Sequence, residues 1–415
     1  MTSFSIIINY VAWYAFMFIS VMWFLILLKN RGDMKNLREE RRWLPRVSVI
    51  IPAYNEEQYL AKTIKSMLNL DYPRRLLDIV VVNDCSKDGT RKIAESFRSA
   101  GVRIFNNKIN MGKAASLNRV LPLCRGELVA CIDADSTAEP AILKKMTGYF
   151  RNPKIAAVTP ALKVENAKNT LEKAQYAEYM LNILLRKMLA LIDSVHVTPG
   201  VFSVYRKKVL LELGGFDKDN LTEDMEIALR IHGAGYSIEN NMNAVSYTAC
   251  PEKMGELYKQ RVRWYRGGLQ NAVKYKHMLF NRKYGNLGVF FLPFNLIIII
   301  AIVAIFCTLV LDAASNILRS VFQFGLVRWD FLGMLPKEMS LSIIMDYVFN
   351  TPMVLWTIGT AVSLALLYLS FRMNSEKLQA RRLSYFAYVF VFPFIYMVFW
   401  AAAVFYEVTG KKRKW

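Results

Sequence analysis

No charged residue occurs between Phe4 and Leu28, a stretch dense in Ile, Phe, Trp and Met. It is long enough to cross a bilayer, where backbone polar groups must be paired within the segment, so a helix is the form one segment can take. A secretory leader would carry a basic start and a small-residue cleavage site. This stretch has neither, and it reads as a transmembrane helix over 1–28. Lys29, Arg31, Lys35, Arg38, Arg41, Arg42 and Arg46 follow directly. Basic residues beside a span favour the cytoplasm, so this linker (29–46) places the next segment on the cytoplasmic side of the cell membrane.

The hydrophobic pattern then shifts to strand–helix alternation. The run Val47 to Pro52 predicts a buried strand and Glu57 to Leu68 a helix. Strands at Asp78–Val82, Val102–Phe105 and Leu128–Ile132 alternate with helices at Gly89–Arg98 and Gly112–Leu123. Such alternation predicts an α/β domain, here 47–250, with a mostly parallel sheet and right-handed crossovers. Beyond Ala156 we expect a strand to Val164, a helix over Leu171–Ile192, a turn at Thr198-Pro199-Gly200, a loop at Gly214–Asp217 and a helix opening at Thr222.

From 251 to 285, Lys259, Arg261, Arg263, Arg266, Lys274, Lys276, Arg282 and Lys283 interleave with Leu257, Tyr258, Val262, Trp264, Tyr265 and Leu269. Basic residues mixed with aromatics and aliphatics predict helices lying in a membrane interface. Leu287–Leu311, Thr351–Phe371 and Ser384–Tyr406 are three further candidate spans in a C-terminal region, 286–415. One span before the cytoplasmic domain and three after it put the C-terminus outside, whereas Lys411, Lys412, Arg413 and Lys414 favour the inside. A span hidden in 315–350, or a re-entrant last segment broken at Pro393, would reconcile the two.

The net charge of +21 fits nucleic acid, anionic lipid or a nucleotide-sugar substrate. The apolar blocks assign most of it to lipid headgroups, and no nucleic-acid partner is expected. Five Cys without a C-x-x-C spacing read as small hydrophobes, and three scattered His exclude a histidine metal site.

The chemistry concentrates where the strand Leu128–Ile132 ends in Asp133-Ala134-Asp135. Ligands of open α/β sheets sit outside the carboxyl ends of the strands. Two carboxylates there suit Mg²⁺ or Mn²⁺, hard cations often held by one or two carboxylates and a substrate phosphate. The competing reading is a polar strand end followed by a helix cap at Ser136 or Thr137.

Further motifs stand in order around that pair: Ala53-Tyr54-Asn55-Glu56, Asn83-Asp84-Cys85-Ser86, Gly112-Lys113-Ala114, Thr222-Glu223-Asp224 and Gln260-Arg261-Val262-Arg263-Trp264. The ordered set, over about residues 45–270, resembles the processive branch of the family-2 glycosyltransferases, the cellulose, chitin, hyaluronan and poly-N-acetylglucosamine synthases. The resemblance implies a GT-A fold, a divalent cation, a UDP-sugar donor and a growing glycan acceptor. Ala53, Tyr54, Glu56 and Asp84 then belong to donor binding, with Tyr54 and Asp84 suited to stack on, and accept a hydrogen bond from, uracil. The family pattern at the second motif is usually Asp-Asp-Gly-Ser, so Asn83 and Cys85 depart from it. Lys113 would bring a point charge to the donor, Asp133 would face its ribose, and Asp135, with Asp133, would hold the metal. Asp224 is the candidate general base, beside Glu223, although Thr222, Glu223 and Asp224 also suit a helix first turn. Gln260, Arg263 and Trp264 share a helix face, for diphosphate and for an acceptor sugar ring. Gly200 falls where relatives have an acceptor-side loop.

The expected activity is inverting transfer from a UDP-sugar, UDP-GlcNAc in the first instance, to a β-linked polysaccharide that is passed across the bilayer. The alternatives are single-sugar transfer to a lipid-linked or short glycan, and a non-enzymatic scaffold with a degenerate transferase domain. The scaffold reading expects lost carboxylates, whereas Asp84, Asp133, Asp135 and Asp224 are all present. No motif specifies an accessory membrane subunit.

Overall fold

Strand β1 (Val47–Ala53) is apolar or small throughout because both of its faces are covered. Val47, Val49 and Ile51 enter one core with Leu60, Ile64 and Met67 of α2 (Leu60–Leu68). Ile50 points the other way, into a core with Leu117 and Val120. The computed structural model describes residues 3–30, 32, 43–326, 351–374, 376 and 382–410.

Among the described residues α1 (Ser3–Lys29) precedes β1. After α2 come β2 (Leu77–Asn83), α3 (Thr90–Ser96), β3 (Arg103–Asn106), α4 (Lys113–Val120), β4 (Leu128–Cys131), β5 (Ser136–Ala138) and α5 (Ile142–Thr147). Next are β6 (Ile155–Val164), α6 (Thr170–Leu191), β7 (Ser203–Arg206), α7 (Lys207–Glu212), α8 (Glu223–Gly233) and β8 (Ser237–Thr248). One sheet runs β3-β2-β1-β4-β7-β6-β8-β5. Its first four strands are parallel. The other half is mixed rather than mostly parallel: β7 opposes both β4 and β6, and β5 opposes β8. The reason is that α6 is no crossover. β6 and β4 both run opposite to β7, and β7 starts with Ser203 beside Cys131, the last residue of β4. The chain therefore leaves β6 and re-enters the sheet at one edge, with α6 between. That helix starts in a reciprocal cap, Asn169 accepting from the Glu172 amide while Glu172 accepts from the Asn169 amide.

One competing reading fails here, and one strand went unread. Ser136 and Thr137 begin β5, not a helix, because Ser136 pairs with Thr248 across to β8. β8 was hidden by its polar sequence, SIENNMNAVSYT, which shows no clean alternation.

Beyond the sheet lie α9 (Met254–Lys274), α10 (Leu292–Leu326), α11 (Thr351–Met373), α12 (Arg382–Phe390) and α13 (Phe392–Val408). Tyr10–Lys29 and Leu287–Phe322 are long and apolar enough to cross a membrane. The pair Ser384–Phe390 and Phe392–Val408, bent by 49°, would make a third span if it counts as one. That bend sits at Val391, with Pro393 in the first turn of α13, where its missing N–H costs no helix bond. Within α11 the apolar helix Thr357–Met373 is shorter than a span. Arg31, Lys35, Arg38, Arg41, Arg42, much of 315–350 and the Lys411–Lys414 cluster lie outside the described residues.

These helices pack on the domain. Ile26 of α1 and Leu367 and Phe371 of α11 share a core with Tyr176, Met180 and Ile183 of α6. Leu257 and Val262 of α9 pack with Phe392, Phe399 and Ala403 of α13.

Candidate active site

Because β1, β2 and β4 are parallel and in register, their carboxyl ends bring three motifs to one edge. A cleft of about 260 Å³ opens there, lined by Pro52, Ala53, Tyr54, Glu56, Asp84, Lys113, Ser116, Asp133, Ala134 and Asp135. The first two loops are laced together. The Asn55 amide donates to Ser86 Oγ (3.0 Å), the Lys87 amide to Asn55 Oδ1 (2.9 Å) and the Glu56 amide to Thr90 Oγ1 (2.7 Å). Asn55 and Cys85 both take left-handed backbone, φ 57° and 60°. That explains why the family pattern has glycine where Cys85 stands: the loop needs a conformation that disfavours a Cβ.

Asp84 is buried and accepts from Asn107 Nδ2 (2.7 Å), the Met111 amide (2.9 Å) and the Gly112 amide (2.8 Å). It thereby fixes the loop that delivers Lys113 as well as lining the cleft. Lys113 Nζ stands 2.5 Å from Asp133 and 3.3 Å from Glu223. Although burial opposes its charge, Asp133 and Glu223 hold the ammonium well above the usual lysine range.

Carboxylates crowd the rest of the cleft. Burial first, then Asp133, raises Asp135, against a hydrogen bond from Ser136 Oγ (2.9 Å). Burial, with Asp135 and Asp133 adding to it, pushes Glu56 up to about 7. This surplus of anionic oxygen, relieved among the described lining residues by Lys113, is the environment a hard divalent cation fits. Among the described residues no three ligating side chains gather closely enough to cage an ion unaided.

The antiparallel start of β7 brings the preceding loop over this edge. A Cβ on Gly200 would lie 2.4 Å from Lys113 Nζ and 3.0 Å from each Asp133 carboxylate oxygen. Gly200 thus faces the Lys113–Asp133 pair. Two residues earlier, the Thr198 amide and Oγ1 both donate to the Asp224 carbonyl (3.2 and 2.8 Å). That tie holds the start of α8 against the edge.

Asp224 is not the helix cap. α8 begins at Glu223, Thr222 makes no side-chain cap bond, and Asp224 Oδ1 accepts from the next amide, Met225 (2.9 Å). Burial, and then the neighbouring Glu223, push its carboxyl up to about 6 against the pull of Lys113 and Arg263. Arg263 Nη1 donates to the Leu221 carbonyl (3.2 Å), so α9 reaches the same loop. Among the described residues, Gln260 Oε1 is buried without a hydrogen-bond partner. Trp264 lies beneath Arg261, whose guanidinium carbon is 4.3 Å from the ring centroid. Arg261 Nη2 donates to Glu178 Oε2 (2.8 Å) on α6, and Tyr396 of α13 donates to the same oxygen (2.6 Å). Lys113, Asp133 and Glu223 thus meet directly, with Asp224 and Gly200 beside them, while Gln260 and Trp264 stand outside the cleft lining on α9.

Sequence reasoning passed over Gly267 and Asn271. A Cβ on Gly267 would strike Thr222 Oγ1 at 2.4 Å, and Asn271 Nδ2 donates to that oxygen at 3.1 Å. The signal was a Gly pair inside an otherwise helical stretch, which costs helix stability and calls for a packing reason. Glu178 left no such trace.

The family described as "Glycosyltransferase like family 2" matches residues 45–267. A poly-beta-1,6-N-acetyl-D-glucosamine synthase of Staphylococcus epidermidis is 31% identical over 252 residues, 60% of this chain and 61% of that protein. One of the same description from Staphylococcus aureus is 31% identical over 225 residues, 54% of each. The chain thus spans about three fifths or less of these relatives' length. In fold it is similar to a mannosyltransferase of Pyrobaculum calidifontis solved in complex with GDP-Man and Mn²⁺. The TM-score is 0.56 at 19% identity, covering 87% of this chain and 99% of the other.

Proposed function

The chain belongs to glycosyltransferase family 2, and from that premise we propose that it extends a β-linked polysaccharide from a UDP-sugar, UDP-GlcNAc first, at the cytoplasmic face of a membrane. One observation carries the reading. Lys113 ties Asp133 of the donor cleft to Glu223, so that Asp224 is fixed beside the place where a donor would lie. The description of the Staphylococcus relatives supports both the sugar and the polymer.

Each side chain then has work to do. Tyr54 and Asp84 border the base, with Ala53 and Glu56 beside them. Asp135, with Asp133, would hold Mg²⁺ or Mn²⁺, which when bound offsets charge on the leaving diphosphate. The acceptor hydroxyl gives its proton to Asp224 as its oxygen bonds to C1 of the donor sugar, and the bond from C1 to the UDP oxygen breaks. One displacement with one base inverts the anomeric centre. Gly200 leaves room for Lys113, Arg263 meets the diphosphate, and Gln260 and Trp264 meet the glycan. The apolar helices support a multi-pass membrane protein whose lipid contacts take up the basic excess.

The test is transfer by full-length protein in lipid nanodiscs, supplied with a panel of UDP-sugars and Mn²⁺ or Mg²⁺, with product sizing and linkage analysis. A cation-dependent β-linked polymer from one donor is expected. Addition of single sugars only, or transfer undiminished by chelator, would refute the reading.

A further inference from the structure

Asn118 and Phe216 are far apart in the chain, yet they meet as two paired strands would. The Phe216 amide donates to Asn118 Oδ1 (2.7 Å), and Asn118 Nδ2 donates to the Phe216 carbonyl (2.7 Å). A carboxamide offers an acceptor and a donor side by side, and here both meet the backbone of one residue. The fit is close. Gly215 takes left-handed backbone, φ 77°, and a Cβ there would lie 2.3 Å from Asn118 Oδ1. Glycine satisfies both demands at once.

The contact joins the two sides of the candidate site. α4 carries Lys113 at its start, and Asn118 follows about 140° further round the helix. One helix thus turns Lys113 to the donor cleft and Asn118 to the loop 213–222. Leu117 and Val120 fix α4 in a core that Phe216 shares. The loop leads directly into Glu223 and Asp224 at the start of α8. From its other side the loop is held by α9. Lys274 pairs with Asp217 (2.7 Å), Asn220 Nδ2 donates to Asn271 Oδ1 (2.7 Å) and Arg263 Nη1 to the Leu221 carbonyl (3.2 Å). α9 itself packs on the apolar helix α13. So α9 ties the loop to the membrane side, and Asn118 ties it to the donor side.

A second route runs through the Phe216 ring. It meets Tyr205 edge-on, with centroids 5.6 Å apart. The Tyr205 hydroxyl donates to the Thr198 carbonyl (3.3 Å), and Thr198 Oγ1 donates to the Asp224 carbonyl (2.8 Å). A shift of Phe216 would therefore reach Asp224 both along the chain and through this ring.

We propose that Asn118 is a positioning residue for sugar transfer, holding Asp224 on the acceptor side in register with Lys113 on the donor side. This role rests on the reading of Asp224 as the general base. Asn118 does not line the cleft. Nor does the donor side depend on its bonds to Phe216: Asp133 holds Lys113 at 2.5 Å, and Asp84 fixes the Met111 and Gly112 amides that precede it. Losing Asn118 should leave donor binding in place and let the base drift. A misplacement of about 1 Å costs on the order of 10²-fold in rate.

The test uses full-length protein in nanodiscs with Mn²⁺, UDP-GlcNAc as donor and a short β-1,6-linked N-acetylglucosamine oligosaccharide as acceptor. Asn118→Leu keeps the shape and removes both bonds. Asn118→Asp keeps the acceptor oxygen and removes the donor. kcat is expressed per UDP-binding site counted by calorimetry, so that misfolded protein is left out. Asn118→Leu should lower kcat by about 30- to 100-fold. UDP affinity and donor KM should stay within about threefold of wild type. Asn118→Asp should fall between, and it carries the test if Asn118→Leu does not fold. A merely structural role would reduce the number of UDP-binding sites and leave kcat per site at wild type. That result, in whichever variant is measured, would overturn the proposal. A loss of UDP affinity matching the loss of kcat would move Asn118 to donor binding and overturn it equally. Wild-type protein that transfers to no glycan would overturn the function and this role together, whereas wild-type transfer with unmoved kcat in the variants overturns this role alone.

Discussion

Gly200→Ala adds one methyl group at the point where the loop before β7 meets the donor cleft. The new Cβ would lie 2.4 Å from Lys113 Nζ, while ordinary contact begins at 3.4 Å, so the ammonium must retreat by about 1 Å. Two carboxylates restrain that retreat. Asp133 holds it at 2.5 Å, Glu223 at 3.3 Å, and the Asp133 oxygens themselves crowd the same methyl at 3.0 Å. A misplacement of about 1 Å in a reacting constellation costs on the order of 10²-fold in rate, about 2.7 kcal/mol of transition-state stabilisation. Folding should hardly notice. Gly200 is not among the positive-φ glycines, so alanine is conformationally allowed, and such exchanges usually change stability by about 1 kcal/mol or less. The assay is kcat/KM for sugar transfer beside a thermal melt, with Gly268→Ala as control, since nothing lies within 4 Å of a Cβ there. We expect about 10²-fold loss for Gly200→Ala at unchanged melting temperature, and near wild-type activity for Gly268→Ala. Gly200→Ala within threefold of wild type would show that the position of Lys113 does not matter to the chemistry.

Other expectations follow from the same geometry. At Cys85, whose φ is 60°, glycine should be tolerated while β-branched valine should not. Cys85→Gly should exceed Cys85→Val in stability by about 1–2 kcal/mol in a denaturant or thermal melt, and equal stabilities would remove the strain argument. Asp224, pushed up to about 6, is protonated and useless as a base below that pH. kcat/KM should therefore fall on the acid side with an apparent pKa near 6, and Asp224→Asn should lose about 10²–10⁴-fold together with that limb. An unshifted acid limb in Asp224→Asn would assign it to another group. Glu178→Gln leaves Arg261 charged and buried without a carboxylate, which costs about 3–5 kcal/mol for a fully buried pair. It should lower the melting temperature and shorten the product by freeing Trp264 from the Arg261 guanidinium; a full-length product at wild-type stability would sever that link.

The parallel half of the sheet was legible because its strands are largely apolar runs that give way to Asn or Asp at or just after their ends. Two covered faces write themselves into the composition of Val47–Ala53 directly. β8 was not, since its twelve residues owe their strand conformation to pairing with β6 and β5 rather than to any pattern of their own. The motif residues could be listed from the sequence, but what they touch could not. Asp84 reads as a base-binding carboxylate, yet its three hydrogen bonds build the loop that carries Lys113. Gly200 reads as part of an acceptor-side loop by position, and what the sequence could not give is that antiparallel pairing of β7 sets it against Lys113. Glu178 sits on a helix that also buries Glu172, Gln175 and Lys187, and only the folded chain shows which of these polar residues meets Arg261.

The charge at the sheet edge gives this arrangement a direction. Among the described residues, Glu56, Asp133 and Asp135 line one cleft with a single cation, Lys113; burial, to which the fields of Asp135 and Asp133 add, raises Glu56 to about 7. A nucleoside diphosphate would add more negative charge. Each like-charged contact near 4 Å costs about 4 kcal/mol at an effective dielectric of 20, so a donor without a cation is repelled. A divalent cation held by Asp133 and Asp135 would reverse that sign and would relieve Asp133 of sole dependence on Lys113. Lys113 could then be shared between Glu223 and the donor, while Asp224, next along the chain, keeps the opposing pull of Arg263. Donor binding would in this way tune the base before the acceptor arrives. An acceptor bound first would face an overcharged cleft and a carboxylate already biased toward its proton. Ordered binding, donor before acceptor, is therefore the sequence of events that the electrostatics of this edge favour.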